Sequence, residues 1–357
     1  MSTSEEEERW DEEQEPRPRK PRTGKRRIIG IVAAVAVVVA VFVFVLPQVA
    51  DYAEVWDVVK GLDPDQLALL LAVAAVNVAT FGPPWMAAMP GLTYRRSMVL
   101  TQSSTALSSA LPGGDAVGIT ASYAMLRGWG YSRHAVSVAV ALTGLWNQFV
   151  NVGVPVLALA ALTLGGGRNP LLTTAALIGL AAMVAVIVAL WAVLRGEEEA
   201  RNTGDWLGKQ ATRLLRPLRR GPIENLGQTL VEFRRETVGV LSRRWHWLTA
   251  ATILGHLTVF LVLLACLRTL GVDSDQVSFV EALASWSLVR LLSAVPVTPG
   301  GLGLIELGLT AALVGFGGNK AGVVAAVLLY RALTYFPPLI LGAILGLTWR
   351  KGRPAPT

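Results

Sequence analysis

Four ionisable side chains sit in stretches that otherwise carry almost none: Asp115, Arg290, Glu306 and Arg331. The two acids follow proline-glycine breaks. Pro112, Gly113 and Gly114 precede Asp115 in "LPGGDAVG" (111–118), and Pro299, Gly300, Gly301 and Gly303 precede Glu306 in "TPGGLGLIE" (298–306). A broken helix that restarts presents free backbone N–H groups and the positive end of its dipole, so each restart is a ready anion site. The two guanidinium groups add fixed positive charge in a donor fork that matches phosphate. Arg290 and Arg331 are therefore the expected anion ligands. Glu306 has two readings, either orienting the arginines or contacting a cationic headgroup, or acting as a helix N-terminal acid held by the dipole and an arginine with no substrate contact. Asp115 is expected to cap the returning arm, with headgroup contact as its alternative.

Other chemistries lack their residues. No GxxxxGK[ST] loop, HExxH pair or Ser/His/Asp arrangement occurs, and "GLGLIELG" has no strand before it to make a dinucleotide loop. The single cysteine, Cys266, and three scattered histidines leave no disulfide or metal-ligand spacing. No cofactor and no enzymatic activity are expected; Asp115 or Glu306 as a general acid or base is the weakest option.

The elements that must position these residues are membrane helices. Of the 357 residues, 53% are hydrophobic and 16% charged, with a mean hydropathy of +0.50. Several apolar runs exceed the roughly 20 residues of a spanning helix and none alternates with the period of a barrel strand. The net charge of +7 gathers between these runs, the positive-inside pattern rather than a nucleic-acid surface. Residues 1–27 read as a disordered cytoplasmic tail. A retained first span follows at 28–46, leading to an acidic outer loop. Further spans are expected at 67–89, 135–164, 171–194, 247–270 and 321–349. Residues 195–246 hold eleven basic and seven acidic side chains and read as a cytoplasmic insert of amphipathic helices, lying on an anionic leaflet or packing on itself. The segments 97–126 and 279–316 each carry a central break, and charge on both flanks of each calls for the same side of the membrane.

The expected architecture is an all-α polytopic membrane protein. It has about six transmembrane helices plus two re-entrant helical hairpins, 97–126 from inside and 279–316 from outside. The sections 67–194 and 247–349 then form inverted repeats, and both termini (1–27 and 350–357) lie in the cytoplasm. Such repeats with broken helices place a substrate site near the midplane. Arg331 lies ten residues into the helix from Ala321, or about 15 Å at the α-helical rise, and a charge at that depth faces an interior partner or cavity. Asn77, Asn147, Gln148 and Asn151 are expected as interhelical hydrogen-bonding groups, and His256 as a packed, hydrogen-bonded histidine.

"PGGLGLIE" together with "LPGGDAVGITASYAMLRGWGYS" resembles the lysylphosphatidylglycerol synthase/flippase transmembrane family over residues 67 to 349. The motif residues Pro299, Gly300, Gly301, Gly303 and Glu306 carry most of the likeness. The resemblance implies a bacterial inner-membrane protein that moves a lipid between leaflets. It stops before any aminoacyl-transferase domain, so this chain is not expected to make lysyl-lipid itself. Relatives carry an arginine soon after the first Pro-Gly-Gly where this chain reads Val117-Gly118-Ile119, so headgroup specificity does not transfer. The expected partner is a phospholipid or a polyprenyl-phosphate-linked lipid. The rival reading is a non-transporting scaffold that engages a glycosyltransferase or another lipid-synthesising enzyme through 195–246.

Overall fold

The computed structural model describes residues 56–57, 60–110, 114–164, 170–215, 225–292 and 299–349. The expected tail at 1–27, the first span at 28–46, and Pro112 and Gly113 lie outside them. Among the described residues the regular structure is entirely helical. In chain order the helices are α1 (Pro64–Ala79), α2 (Pro83–Ala88), α3 (Tyr94–Ala110), α4 (Asp115–Gly128), α5 (Arg133–Leu164) and α6 (Pro170–Arg195). They continue with α7 (Glu197–Leu215), α8 (Leu226–Thr269), α9 (Phe279–Leu292), a 3₁₀ turn at Pro299–Gly301, α10 (Leu304–Gly315) and α11 (Lys320–Trp349).

Among the described residues, five helical stretches are long and apolar enough to cross a membrane: Pro64–Ala88, Arg133–Leu164, Leu177–Arg195, Leu241–Thr269 and Lys320–Trp349. They correspond to the five expected spans that the description covers. The first is broken between α1 and α2, where Pro83 and Pro84 cannot donate to the preceding turn.

Two hydrophobic cores organise the bundle. One gathers Phe260, Leu263 and Leu267 of α8, Trp286 of α9, Leu309 of α10 and Val323 to Val327 of α11. Phe260 meets the Phe279 ring edge-on, with centroids 5.2 Å apart, an arrangement that aromatic quadrupoles favour. The other core gathers Met89, Leu100 of α3, Leu126 of α4, Leu142 and Trp146 of α5, and Leu241 and Leu248 of α8, with Leu345 and Trp349 of α11 against it. Helices α8 and α11 run through both cores, contributing opposite ends to each. Each broken segment belongs to one core only.

Within each broken segment the arms fold back on one another. A Cβ on Gly118 of α4 would sit 2.8 Å from the Ser104 carbonyl oxygen of α3, so only glycine permits this approach. A Cβ on Gly308 of α10 would lie 3.2 Å from the Val289 methyls of α9.

Within the insert, residues 226–246 are the first part of α8, a continuous helix of 44 residues about 66 Å long. The absence of glycine or proline from 240 to 254 leaves nothing to end the helix there. Helix α7 packs on α8, its Gly204 so close that an added Cβ would lie 2.5 Å from the Gly227 Cα. Both neighbours there are backbone and cannot yield, so Gly204→Ala is expected to separate α7 from α8 and destabilise this unit by roughly 1–3 kcal/mol. Hydrogen exchange of α7 amides checks it, as faster exchange than in the native chain with the membrane helices unchanged.

The same pair of helices is joined by charge. Arg235 donates from Nε and Nη2 to the two Glu197 carboxylate oxygens at 2.8 and 2.6 Å, and Arg234 lies 3.9 Å from one of them. The Arg235 hydrogen bond, with the charges of Arg235, Arg234 and Arg201, holds Glu197 below its ordinary value of 4.5. A carboxylate depressed by folding contributes stability that is present above that ordinary value and is lost as pH falls through the folded one. The difference in apparent melting temperature between the native chain and Arg235→Gln is therefore expected to stay constant near neutrality. It should close as pH drops below 4.5, and shrink in high salt because the pair is solvent-exposed.

Candidate functional site

The second break is built by glycine. Gly300, Gly301 and Gly303 have φ of 57, 68 and 83°, the left-handed region that side chains resist. Gly303, with ψ of −46°, lies outside even the left-handed helical basin. The chain thus turns between α9 and α10 and delivers the Gly300 carbonyl and the Gly303 amide to the interior.

Glu306 sits at the third position of α10, 1% exposed. Its Oε2 accepts from the Gly303 N–H at 2.7 Å, capping the helix start. Its Oε1 accepts from Arg331 Nε at 2.7 Å. The anion at this helix N-terminus is therefore the protein's own carboxylate. Glu306 thus caps the helix and holds Arg331, a geometry that both readings of it share. Arg331 also donates from Nη2 to the Gly300 carbonyl at 2.8 Å, and its guanidinium carbon lies 5.1 Å from the Tyr335 ring centroid. Carboxylate, carbonyl and ring fix the guanidinium in one orientation.

Arg290, on the last turn of α9, is half-buried, its guanidinium carbon 5.1 Å from the Trp286 ring centroid. The Trp286 indole N–H in turn donates to the Tyr330 hydroxyl at 3.1 Å. Trp286 and Tyr330 thus link Arg290 on α9 to the turn of α11 that carries Arg331, and among the described residues Glu306 is the carboxylate bonded to Arg331.

The first break contributes less. Gly114 is the residue before α4 with φ of −65°, and as glycine it has no side chain to bond the helix start. Asp115 is the first residue of α4, not its cap, and is exposed; a side chain already on the helix cannot reach back as an N-cap oxygen does. Asp115 is not among the groups gathered around Glu306 and Arg331.

Tyr335, which residue-type reasoning passed over, joins the two breaks. Its hydroxyl donates to the Ser109 carbonyl near the end of α3 at 3.0 Å. A Cβ on Gly300 would lie 2.4 Å from its ring. The available signal was its position four residues after Arg331, one turn along the same helical face. Arg331 and Tyr335 both stand near the middle of the 30-residue α11, so the tip of each broken segment meets this helix at one level.

Polar groups elsewhere serve packing. Asn77 donates to Thr258 at 3.1 Å, and His256 bonds the Thr252 carbonyl and Asn151 at 3.0 and 3.1 Å. Asn147 and Gln148, expected to bond between helices, are instead exposed on α5. No group of histidine, cysteine and acidic side chains among the described residues could hold a metal.

Comparison with characterised proteins gives no match among curated sequences. A family model described as the lysylphosphatidylglycerol synthase TM region matches residues 31–342. With that match over most of its length, and with the helices the fold displays, the chain is a multi-pass membrane protein that belongs to this lipid-associated family.

Proposed function

We propose that this protein moves an anionic lipid, a phospholipid or a polyprenyl-phosphate-linked lipid, between leaflets, with the headgroup crossing at the Arg290–Arg331 cluster. The observation that carries this reading is the convergence of both helix breaks on the middle of α11, through Gly300 to Arg331 and Ser109 to Tyr335. In this reading each broken segment is a re-entrant hairpin turning in mid-membrane. The two cores support opposite entry, because α11 packs its C-terminal end with the first segment and its N-terminal half with the second. The two units are then inverted repeats in a bacterial inner membrane, with both termini cytoplasmic, as the basic flanks require.

Within the cluster, Glu306 and the Gly300 carbonyl hold Arg331 in place. The net positive charge of the two arginines attracts the headgroup phosphate in a medium where charge acts strongly. A scaffold has no use for two arginines at this depth, and their cost favours transport over that alternative.

The test is translocation of anionic lipids in proteoliposomes, native chain against Arg290→Ala. The substitution is expected to slow movement by on the order of tenfold or more, the worth of one charge-assisted phosphate contact. A folded variant that moves lipid at the native rate would remove Arg290 from the site. A native chain that moves none of the lipids offered would favour the scaffold acting through 195–246.

A further inference from the structure

We propose that the seam between α3 and α11 is the gate of this path, opening to admit the headgroup from the leaflet beside Arg95 and Arg96. It rests on the transport reading above. Four features of the seam, independent of the arginine cluster, point to it.

The first is the composition of α3. Between its start at Tyr94 and its end at Ala110 it carries seven serines and threonines and one glutamine, more polar than any other helix packed in the two cores. Those groups run from Arg95 and Arg96 at one end to Ser109 beside Tyr335 at the other. They place hydroxyl or amide groups along the length of the helix between these two points.

The second is Gln102. Its side chain is 0% exposed, and neither its amide nitrogen nor its amide oxygen has a hydrogen-bond partner among the described residues. A buried amide without partners is costly in any protein and more so among lipid chains. Opening the seam hands both atoms to water or to a phosphate headgroup, so the closed state is raised in energy by the residue that the open state would use.

The third is how closely the two backbones meet at the seam. Its faces are small: Gly342 lies on the Gln102 carbonyl and Ala106, and Gly346 on Ser103. The bonds across it include a long one from the Ser103 hydroxyl to the Gly342 carbonyl, 3.3 Å, and the Tyr335 to Ser109 bond. Small residues let the two backbones approach closely here, so the parting of the helices exposes main-chain carbonyls and hydroxyls rather than large apolar side chains. The fourth is a hinge in α11 between the Arg331–Glu306 pair and Gly342. Pro337 and Pro338 lie inside α11 and remove the backbone bonds that would reach Leu333 and Thr334. The half of α11 bearing Gly342 and Gly346 can therefore part from α3 while Arg331 stays with Glu306, and the Tyr335–Ser109 bond beside the hinge resists that parting.

Two measurements in proteoliposomes test the gate. The first is thiol labelling of Gln102→Cys with N-ethylmaleimide, against a background set by the fully buried Cys266. Labelling is expected to be slow, and adding Tyr335→Phe should speed it roughly fivefold, the worth of one hydrogen bond in an opening equilibrium. Absence of labelling in both forms, or equal rates in both, would overturn the gate. The second uses Ser103→Cys with Gly346→Cys. A Cβ on Gly346 would lie 3.8 Å from the Ser103 Cβ, the usual spacing across a disulfide. Oxidation should stop lipid translocation and reduction should restore it. Equal rates in the two states would overturn the gate. Lack of movement in the reduced and the native chain alike would count against transport itself, and the labelling arm would still decide whether the seam opens.

Discussion

Arg331→Ala is expected to lower the folding free energy by about 3–5 kcal/mol, the usual cost of removing one partner of a buried ion pair. The Arg331 side chain is 13% exposed and that of Glu306 1%, so neither can recover hydration when the other is lost. Glu306 would keep only the Gly303 amide, and the Gly300 carbonyl would lose its guanidinium. The apparent melting temperature in detergent should fall on the order of 10 °C for a loss of this size. Arg331→Met combined with Glu306→Gln should recover most of it, because the glutamine carbonyl still caps Gly303 and no charge is left buried. Translocation should not recover with it, since the cluster would have lost the guanidinium. A melting temperature for Arg331→Ala within a degree or two of the native chain would show that Glu306 is not held as a buried charge.

Gly342→Ala should be nearly as damaging, for a steric reason. The added Cβ would lie 2.2 Å from the Gln102 carbonyl oxygen and 2.6 Å from the Ala106 Cβ. Neither atom can rotate away, so α3 and α11 must part along their whole contact, at a cost at or above the roughly 1–3 kcal/mol of ordinary overpacking. Gly346→Ala, one turn further on, is the control. Its nearest neighbour would be the rotatable Ser103 hydroxyl at 3.3 Å, and relief of glycine's backbone entropy offsets the contact at about 0.5–1 kcal/mol. Melting temperatures of the two variants should therefore differ by several degrees, with Gly346→Ala close to native. Equal values would mean that α3 and α11 are not in close backbone contact.

How much of this was legible depends on the range of the interaction. The spans were readable because a lipid environment demands long unbroken apolar helices, a local property of the chain. Each expected span within the described residues matches a helix of that kind. The breaks were readable because glycine and proline impose backbone geometry locally, and Gly300, Gly301 and Gly303 do take left-handed φ. The continuity of the insert with the span was not legible, because polarity changes near residue 246 while no glycine or proline there ends a helix, so α8 runs on through the boundary.

The sequence by itself determined that this is a multi-pass helical membrane protein with two glycine-built breaks and a few costly charges in apolar surroundings. Composition and local backbone chemistry suffice for that. Only the tertiary structure decided which charges meet. Arg290 and Arg331 lie at similar remove from Glu306, sixteen residues before it and twenty-five after it, and spacing alone cannot choose between them. Packing of α10 on α11 brings Arg331 to the carboxylate, while Arg290 stays over Trp286, one turn back on its own helix. The same holds for Asp115, which shares a motif with Glu306 yet stands exposed, and for Tyr335, ordinary in the sequence yet bonded to a carbonyl 226 residues away. Contacts of that kind depend on how whole helices cross, and the chain's local preferences do not encode where a crossing falls.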